Sequence, residues 1–364
     1  MASPYPWHYT IQWPIHFLWP STQNPTRIGR QPLSYSFTTT SFSEQIIRVL
    51  FLGDIMPMKQ DLPPDLHPSL RSLLSNADLI VGNFESPVGE SGTSSDSKHR
   101  FVFNVPQDYL QGIIKQVDLP PERWVFSMAN NHAGDQGFDA CIKTAKLMRE
   151  LGVIPMGFWQ PDCPPVIIVE CEGVRLGLVA WTQWINMNVF RETPGIYRIE
   201  HILQASWKTI QRNYNIDMLV AFPHWEYEFQ HFPRAKTRKL SKELADRGFS
   251  LIVGSHPHVL QPMEWIGDTL CQYSLGNFCS GHGIAWPVKL IPLLEIQICK
   301  KELMSKITEY KLHFFVQRHF EDHVALVPLE DSPKIFQQRV KQRLHLLFDT
   351  HNPHSAPQTG TYTA

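Results

Sequence analysis

Five short apolar runs in this chain each end in a side chain able to bind a metal. Asp54 follows IIRVLFLG, Glu85 follows DLIVGNF, Asn131-His132 follow WVFSMAN, His224 follows DMLVAFP, and His256 and His258 follow SLIVGS. Buried parallel strands read as unbroken apolar runs, and their carboxyl ends open on one crevice. Five such ends gathered at one rim make an oxygen- and nitrogen-rich site, which points to a dinuclear metal hydrolase.

Strand and helix signals alternate from Ile46 onward, which predicts a layered α/β domain. FDACIKTAKLMRELG carries Phe138, Cys141, Ile142, Ala145 and Met148 at helical spacing, with Gly152 in the C-terminal cap position. PRAKTRKLSKELADRG predicts a second, largely solvated helix opened by Pro233 and closed by Gly248. VIIVE and RLGLVAW predict a hairpin through Glu172-Gly173; LIPLLEIQI and YKLHFFVQ predict strands, and IFQQRVKQRLHLLF a helix. The expected organisation is an N-terminal extension over 1–45, a core domain over 46–300, strands and a helix completing it over 301–349, and a disordered tail over 350–364. Residues 89–100, GESGTSSDSKHR, read as a surface loop, with a lid over the site as the functional alternative.

With 43% hydrophobic and 18% charged residues, the 364-residue chain reads as globular. Its net charge is -1 and its basic residues are spread out, so nothing suggests nucleic-acid binding. The six cysteines form no C-x-x-C pair and are expected to be reduced and buried. The Trp-rich first segment has no Lys or Arg before Arg27 and is broken by Pro. It therefore lacks the charged and continuous apolar regions of a signal peptide and is too interrupted to span a bilayer, so a cytoplasmic protein with a flexible or surface-packed arm is expected.

Each candidate residue brings a distinct chemistry. The Asp54 carboxylate suits a hard or borderline cation, and Glu85 can bridge two cations and screen their repulsion. Asn131 offers a neutral carbonyl oxygen, and His132 can protonate a leaving group. His224 is an imidazole at a strand end, where a structural role competes with ligation. His256 precedes Pro257, and an extended conformation there would bring its ring close to that of His258. Tyr227, His231 and His282 are weaker candidates for substrate contact.

GDIM, GNFESP, NNHAGDQG, HWEYE, GSHPHVLQPME and YSLGNF, in this order over about residues 46–280, resemble the signatures of the CapA family of poly-gamma-glutamate capsule biosynthesis proteins. That family is similar in fold to calcineurin-like metallophosphoesterases, which implies a four-layer αββα sandwich. The resemblance implies that Asp54 binds one metal, Glu85 bridges, and Asn131, His224 and His256 bind a second. It gives His258 to the first metal, makes His132 the catalytic acid and lets Asp135 orient it.

Two departures stand out. Met56 occupies the position where the wider phosphoesterase pattern has His, and a thioether is a poor ligand for a hard cation. Glu226 occupies the place where the family's His-Trp signature continues with Gly. One or two divalent ions, Mn, Fe or Zn, are expected. The implied activity is hydrolysis, most directly of a phosphoester through a metal-bound hydroxide, on a small-molecule or anionic polymer substrate. The alternative is a non-catalytic assembly component of polymer synthesis or export, and a third reading is amide hydrolysis of polyglutamate.

Overall fold

The computed structural model describes residues 5–36, 45–58, 61–89, 102–159, 163–187, 195–281, 285–301 and 304–350. Most of the 89–100 loop, the tail beyond 350 and His282 lie outside them. Two sheets face each other. Among the described residues the larger has ten strands, with Gln45–Ile55, Leu79–Phe84, Trp124–Ser127 and Ile154–Met156 running parallel as neighbours. The smaller has six, built on the parallel strands Val174–Thr182, Met218–His224 and Phe249–Val253.

Both central sets are buried on both faces, which explains their uninterrupted apolar sequences. Phe51 of one sheet stacks on Phe222 of the other, ring centroids 6.3 Å apart, inside the main core. Leu70, Leu74, Leu110, Ile113, Cys141 and Met148 bring the helices Pro68–Ser75, Asp108–Ile114 and Phe138–Glu150 onto that core. A second core joins Val179, Trp181, Leu219 and Ile252 of the smaller sheet to Ile202, Trp207 and Leu244 of the helices outside it. The result is the αββα sandwich expected.

Local expectations are met in detail. The Phe138–Glu150 helix ends with Gly152 at φ 84°, and Ala235–Asp246 ends with Gly248 at φ 101°. The Ile167–Cys171 and Val174–Thr182 hairpin turns through Glu172 and Gly173, both at positive φ. Leu290–Lys301 and Met304–His319 pair antiparallel and join the larger sheet through Gln45–Ile55. Five of the six cysteines are buried as expected, but Cys163 is exposed.

The N-terminal arm contains a helix, Trp7–Leu18, with only Tyr9 buried among its residues. Trp13 and Phe17 seat it on Phe229, with ring centroids 4.8 and 4.7 Å away. His231, a weak candidate for substrate contact, is buried and donates from Nε2 to the His16 carbonyl at 3.2 Å. Burial first, then the Arg343 charge, lowers its pKa from 6.5 to about 3. The unfolded chain therefore takes up a proton below pH 6.5 that the fold refuses, and stability present above that pH is lost as pH falls toward 3. This contribution amounts to about 1.4 kcal/mol per pH unit in that window. Urea melts of the parent and a His231→Gln variant should show the flatter acid limb in the variant; parallel limbs would refute the assignment. Among the described residues, no helix is long and apolar enough to cross a membrane.

Candidate metal centre

The carboxyl ends of strands from both sheets deliver the predicted donors to one place. Asp54 closes Gln45–Ile55, Glu85 follows Leu79–Phe84, and Asn131 and His132 lie in the turn after Trp124–Ser127. His224 ends Met218–His224, and His256 and His258 follow Phe249–Val253. Asp54 reaches its position past a register shift in the pairing with Leu79–Phe84. Gly53 permits the crossing, because a Cβ there would meet the Gly276 carbonyl oxygen at 2.0 Å. The Asp54 amide donates to that same oxygen at 2.9 Å.

One ligand atom each from Asp54, Glu85 and His258 lies within 4.8 Å of the others, and the same holds for Glu85, His224 and His256. Glu85 is common to both sets, as a bridging carboxylate requires. His224 Nε2 lies 2.8 Å from Asn131 Oδ1 and 3.5 Å from Glu85 Oε1. Bonds of about 2.0–2.2 Å to a small cation put neighbouring ligand atoms roughly 3 Å apart, so these spacings suit a shared ion. His258 Nδ1 lies 3.1 Å from Asp54 Oδ2, and His258 Nε2 lies 3.9 Å from Glu85 Oε1.

Orphaned atoms and charge balance test the fit. Glu85 Oε1 and His256 Nδ1 are buried without a hydrogen-bond partner, which is costly unless something else binds them. Burial, then Asp54 and other nearby acids, pushes the Glu85 pKa well above the carboxylate range. Burial, then neighbouring imidazoles, holds His224 and His256 well below the usual histidine range. For His258 burial also lowers the pKa, but the hydrogen bond and charge of Asp54 outweigh it and leave it raised. Buried carboxylates in mutual repulsion beside neutral imidazoles form a donor set suited to a divalent cation.

His132 stands at the edge of this cluster. Its Nδ1 donates to Asp135 Oδ2 at 2.6 Å, and the Phe103 amide donates to the same oxygen at 2.7 Å. The Phe103 ring stacks on the imidazole with centroids 3.6 Å apart. Nε2 lies 3.5 Å from Asn186 Nδ2.

The sequence reading missed Asn83 and Glu228 as site residues. Asn83 Nδ2 donates to Asp54 Oδ1 at 2.7 Å and lies 3.3 Å from both Glu85 Oε2 and His224 Nδ1, tying three predicted donors together. Its signal was a polar residue inside the apolar run DLIVGNF. Glu228 joins His256 and His258 in a third set of ligand atoms, again within 4.8 Å.

His256 corrects an expectation: its φ is 96°, not the extended value anticipated before proline. The conformation lets its amide donate to Asp54 Oδ2 at 3.1 Å, and His258 at φ 58° continues the turn. Non-glycine residues held at positive φ are strained and persist where surrounding contacts fix them.

Glu226 explains its own departure. It lies at φ 72°, where Gly is at ease, and is fixed because its carboxylate accepts from the Arg234 amide at 2.7 Å and Arg234 Nε at 2.6 Å. Glu226→Ala is expected to cost about 3 kcal/mol, the low end for breaking a buried ion pair, since Arg234 keeps some access to water. Glu226→Gly should cost less because it relieves strain of about 1 kcal/mol or more. Urea denaturation measures both, and equal losses would refute the strain argument.

Fold and donor set together define an αββα protein with a candidate divalent-cation centre at its strand ends. Residues 48–282 match the family model of the bacterial capsule synthesis protein PGA_cap, and the chain belongs to that family. It is 24% identical over 255 residues to the PGA biosynthesis protein CapA of Bacillus subtilis (strain 168), covering 67% of this chain and 66% of that protein. It is 27% identical over 218 residues to the capsule biosynthesis protein CapA of Bacillus anthracis, covering 58% of this chain and 52% of that one. The matches thus span less than two thirds of either relative. Among solved structures, the calcineurin-like phosphoesterase YfkN of Bacillus subtilis aligns at 12% identity and TM-score 0.40, over 84% of this chain and 99% of that one.

Proposed function

We propose that this protein is a divalent-metal-dependent hydrolase that cleaves a phosphoester at the strand-end centre. Asp54, Glu85, Asn131, His224, His256 and His258 would hold one or two ions of Mn, Fe or Zn. Such ions supply Lewis acidity, lowering the pKa of water at the site and offsetting charge on phosphoryl oxygens. His132 supports an enzyme over a scaffold, and it is the observation that carries the reading. Its ring is fixed by Asp135 and Phe103 at the edge of the donor cluster. It lies near enough for its charge to contribute to depressing His224 and His256. The fold does not need a second acid-base group there to bind metal. In this role Nε2 delivers a proton to the leaving oxygen while Asp135 stabilises the imidazolium.

The relatives, named as PGA and capsule biosynthesis proteins, favour a second reading, in which the same centre serves capsule-polymer synthesis or export without turnover. Metal analysis of the purified protein, with assays on bis-p-nitrophenyl phosphate and p-nitrophenyl phosphate, separates the two. Metal-dependent release of nitrophenol supports the hydrolase. Bound metal without turnover of either ester favours the assembly role, and glutamate released from polyglutamate would redirect the activity to amide cleavage.

A further inference from the structure

Glu228 lies outside the ligand set that the resemblance implies, and its surroundings point to a task. It follows His224 by four residues, and Glu226 at φ 72° and Phe229 at φ 59° flank it in the turn that carries it back toward the centre. One of its carboxylate oxygens lies within 4.8 Å of ligand atoms of both His256 and His258. His256 Nδ1 is buried there without a hydrogen-bond partner. The Asp54, Glu85 and His258 set offers three donors, one short of a four-coordinate shell, and the Met56 thioether two residues after Asp54 is unsuited to a hard cation.

The N-terminal arm holds these same groups from behind. Trp13 Nε1 donates to Glu228 Oε2 at 2.7 Å, and the Tyr9 hydroxyl donates to the Glu228 carbonyl oxygen at 2.5 Å. The Tyr5 hydroxyl is 2.8 Å from His256 Nε2, the ring nitrogen opposite the orphaned Nδ1. A ligating imidazole is commonly oriented by a hydrogen bond at its other nitrogen, and a ligating carboxylate by a donor on its second oxygen. The Trp7–Leu18 helix contains no Asp, Glu, Lys or Arg, so it brings these donors without adding a competing charge. Its Trp13 and Phe17 rings pack on Phe229, the residue next to Glu228, which fixes the helix to the turn it supports.

We propose that Glu228 is an additional cation ligand at the His256 and His258 edge of the centre, and that Trp13 and Tyr5 of the N-terminal arm are positioning residues that aim Glu228 and His256. The proposal rests on the metal-centre reading above and deepens it. It makes the arm part of the metal site, where a surface-packed extension was expected.

The test titrates the metal-stripped 364-residue chain with Zn²⁺ by calorimetry and with Co²⁺ by visible absorption, comparing the parent with Glu228→Gln, Trp13→Phe and Tyr5→Phe. Each substitution keeps most of the side-chain volume, and a far-ultraviolet dichroism spectrum checks that each variant is folded. Glu228→Gln is expected to weaken one binding event and change the Co²⁺ spectrum. Trp13→Phe and Tyr5→Phe are expected to weaken binding roughly 10–100-fold, as loss of an outer hydrogen-bond partner does. Parent-like affinity and spectrum in Glu228→Gln would overturn the ligand assignment while leaving the metal centre standing. Tighter binding in Trp13→Phe and Tyr5→Phe would overturn the positioning role and make the arm a plug that competes with the ion. A parent chain that binds neither ion would overturn this inference and the metal-centre reading together.

Discussion

Replacing His132 by Ala is expected to lower kcat for phosphodiester hydrolysis by about 10²–10⁴-fold, the usual contribution of a positioned general acid, with bound metal unchanged. The separation of effects follows from geometry. His132 is bound to Asp135 at 2.6 Å and stacked on Phe103, whereas the two bridging sets of ligand atoms come from Asp54, Glu85, His224, His256 and His258. The loss should depend on the leaving group. A nitrophenolate departs without help, so the variant should retain much more activity on a p-nitrophenyl ester than on an alkyl ester, whose alkoxide must be protonated. Asp135→Asn should act in the same direction, because it weakens the bond that orients the ring and stabilises its charged form. Metal analysis and a series of esters with graded leaving groups measure this. An equal loss across the series, or a loss of metal, would remove His132 from the acid role.

The strand ends were legible because two independent patterns coincide there. An apolar run of strand length fixes a buried parallel strand, and a polar residue at its carboxyl end has only the shared rim on which to emerge. Asp54, Glu85 and His224 could therefore be placed in space from local sequence. The sequence also marked Glu226 as unusual, and its left-handed φ of 72° shows why Gly is at ease there. Other features depended on tertiary contacts that no local pattern encodes. Asn83 is one polar residue in an apolar strand, and its role appears only when Asp54, Glu85 and His224 converge on its amide. The N-terminal helix contains Pro14 and exposes Trp7, Ile11 and Ile15, which breaks the apolar-in, polar-out pattern that makes an amphipathic helix recognisable. Its docking depends on Glu228 and Phe229, more than 200 residues away in sequence. His256 departs from the usual conformation before proline because its amide bonds to Asp54 on another sheet.

Removing the cation by chelation is expected to lower Tm by about 5–8 °C near neutral pH, and by progressively less as pH falls. A ligand at 100 to 1,000 times its Kd stabilises the fold by about 2.7–4.1 kcal/mol, and for a chain of this size each kcal/mol moves Tm by roughly 2 °C. The pH dependence follows from the protons that a cation must displace. In the metal-free fold, burial and then Asp54 raise the Glu85 pKa above its ordinary 4.5, and Asp54 holds His258 above 6.5 against the effect of burial. Through both windows the metal-free fold binds more protons than the unfolded chain, so these two groups make it less stable as pH rises. His224 and His256, with lowered pKa values, act in the opposite direction and cost stability as pH falls below 6.5. The cation needs Glu85 ionised and His258 neutral, so its affinity rises with pH and the gap between loaded and chelated melts should widen from about pH 5 to about pH 8. Glu85→Gln sharpens the test, because it removes the carboxylate whose ionised form burial and then Asp54 disfavour in the metal-free fold. Its chelated melt should lie above that of the parent at neutral pH, while its metal-loaded melt should lie below, so the order of the two proteins reverses with the ion. A gap that stays constant with pH, or a Glu85→Gln variant that gains as much from metal as the parent does, would show that Glu85 does not bridge cations.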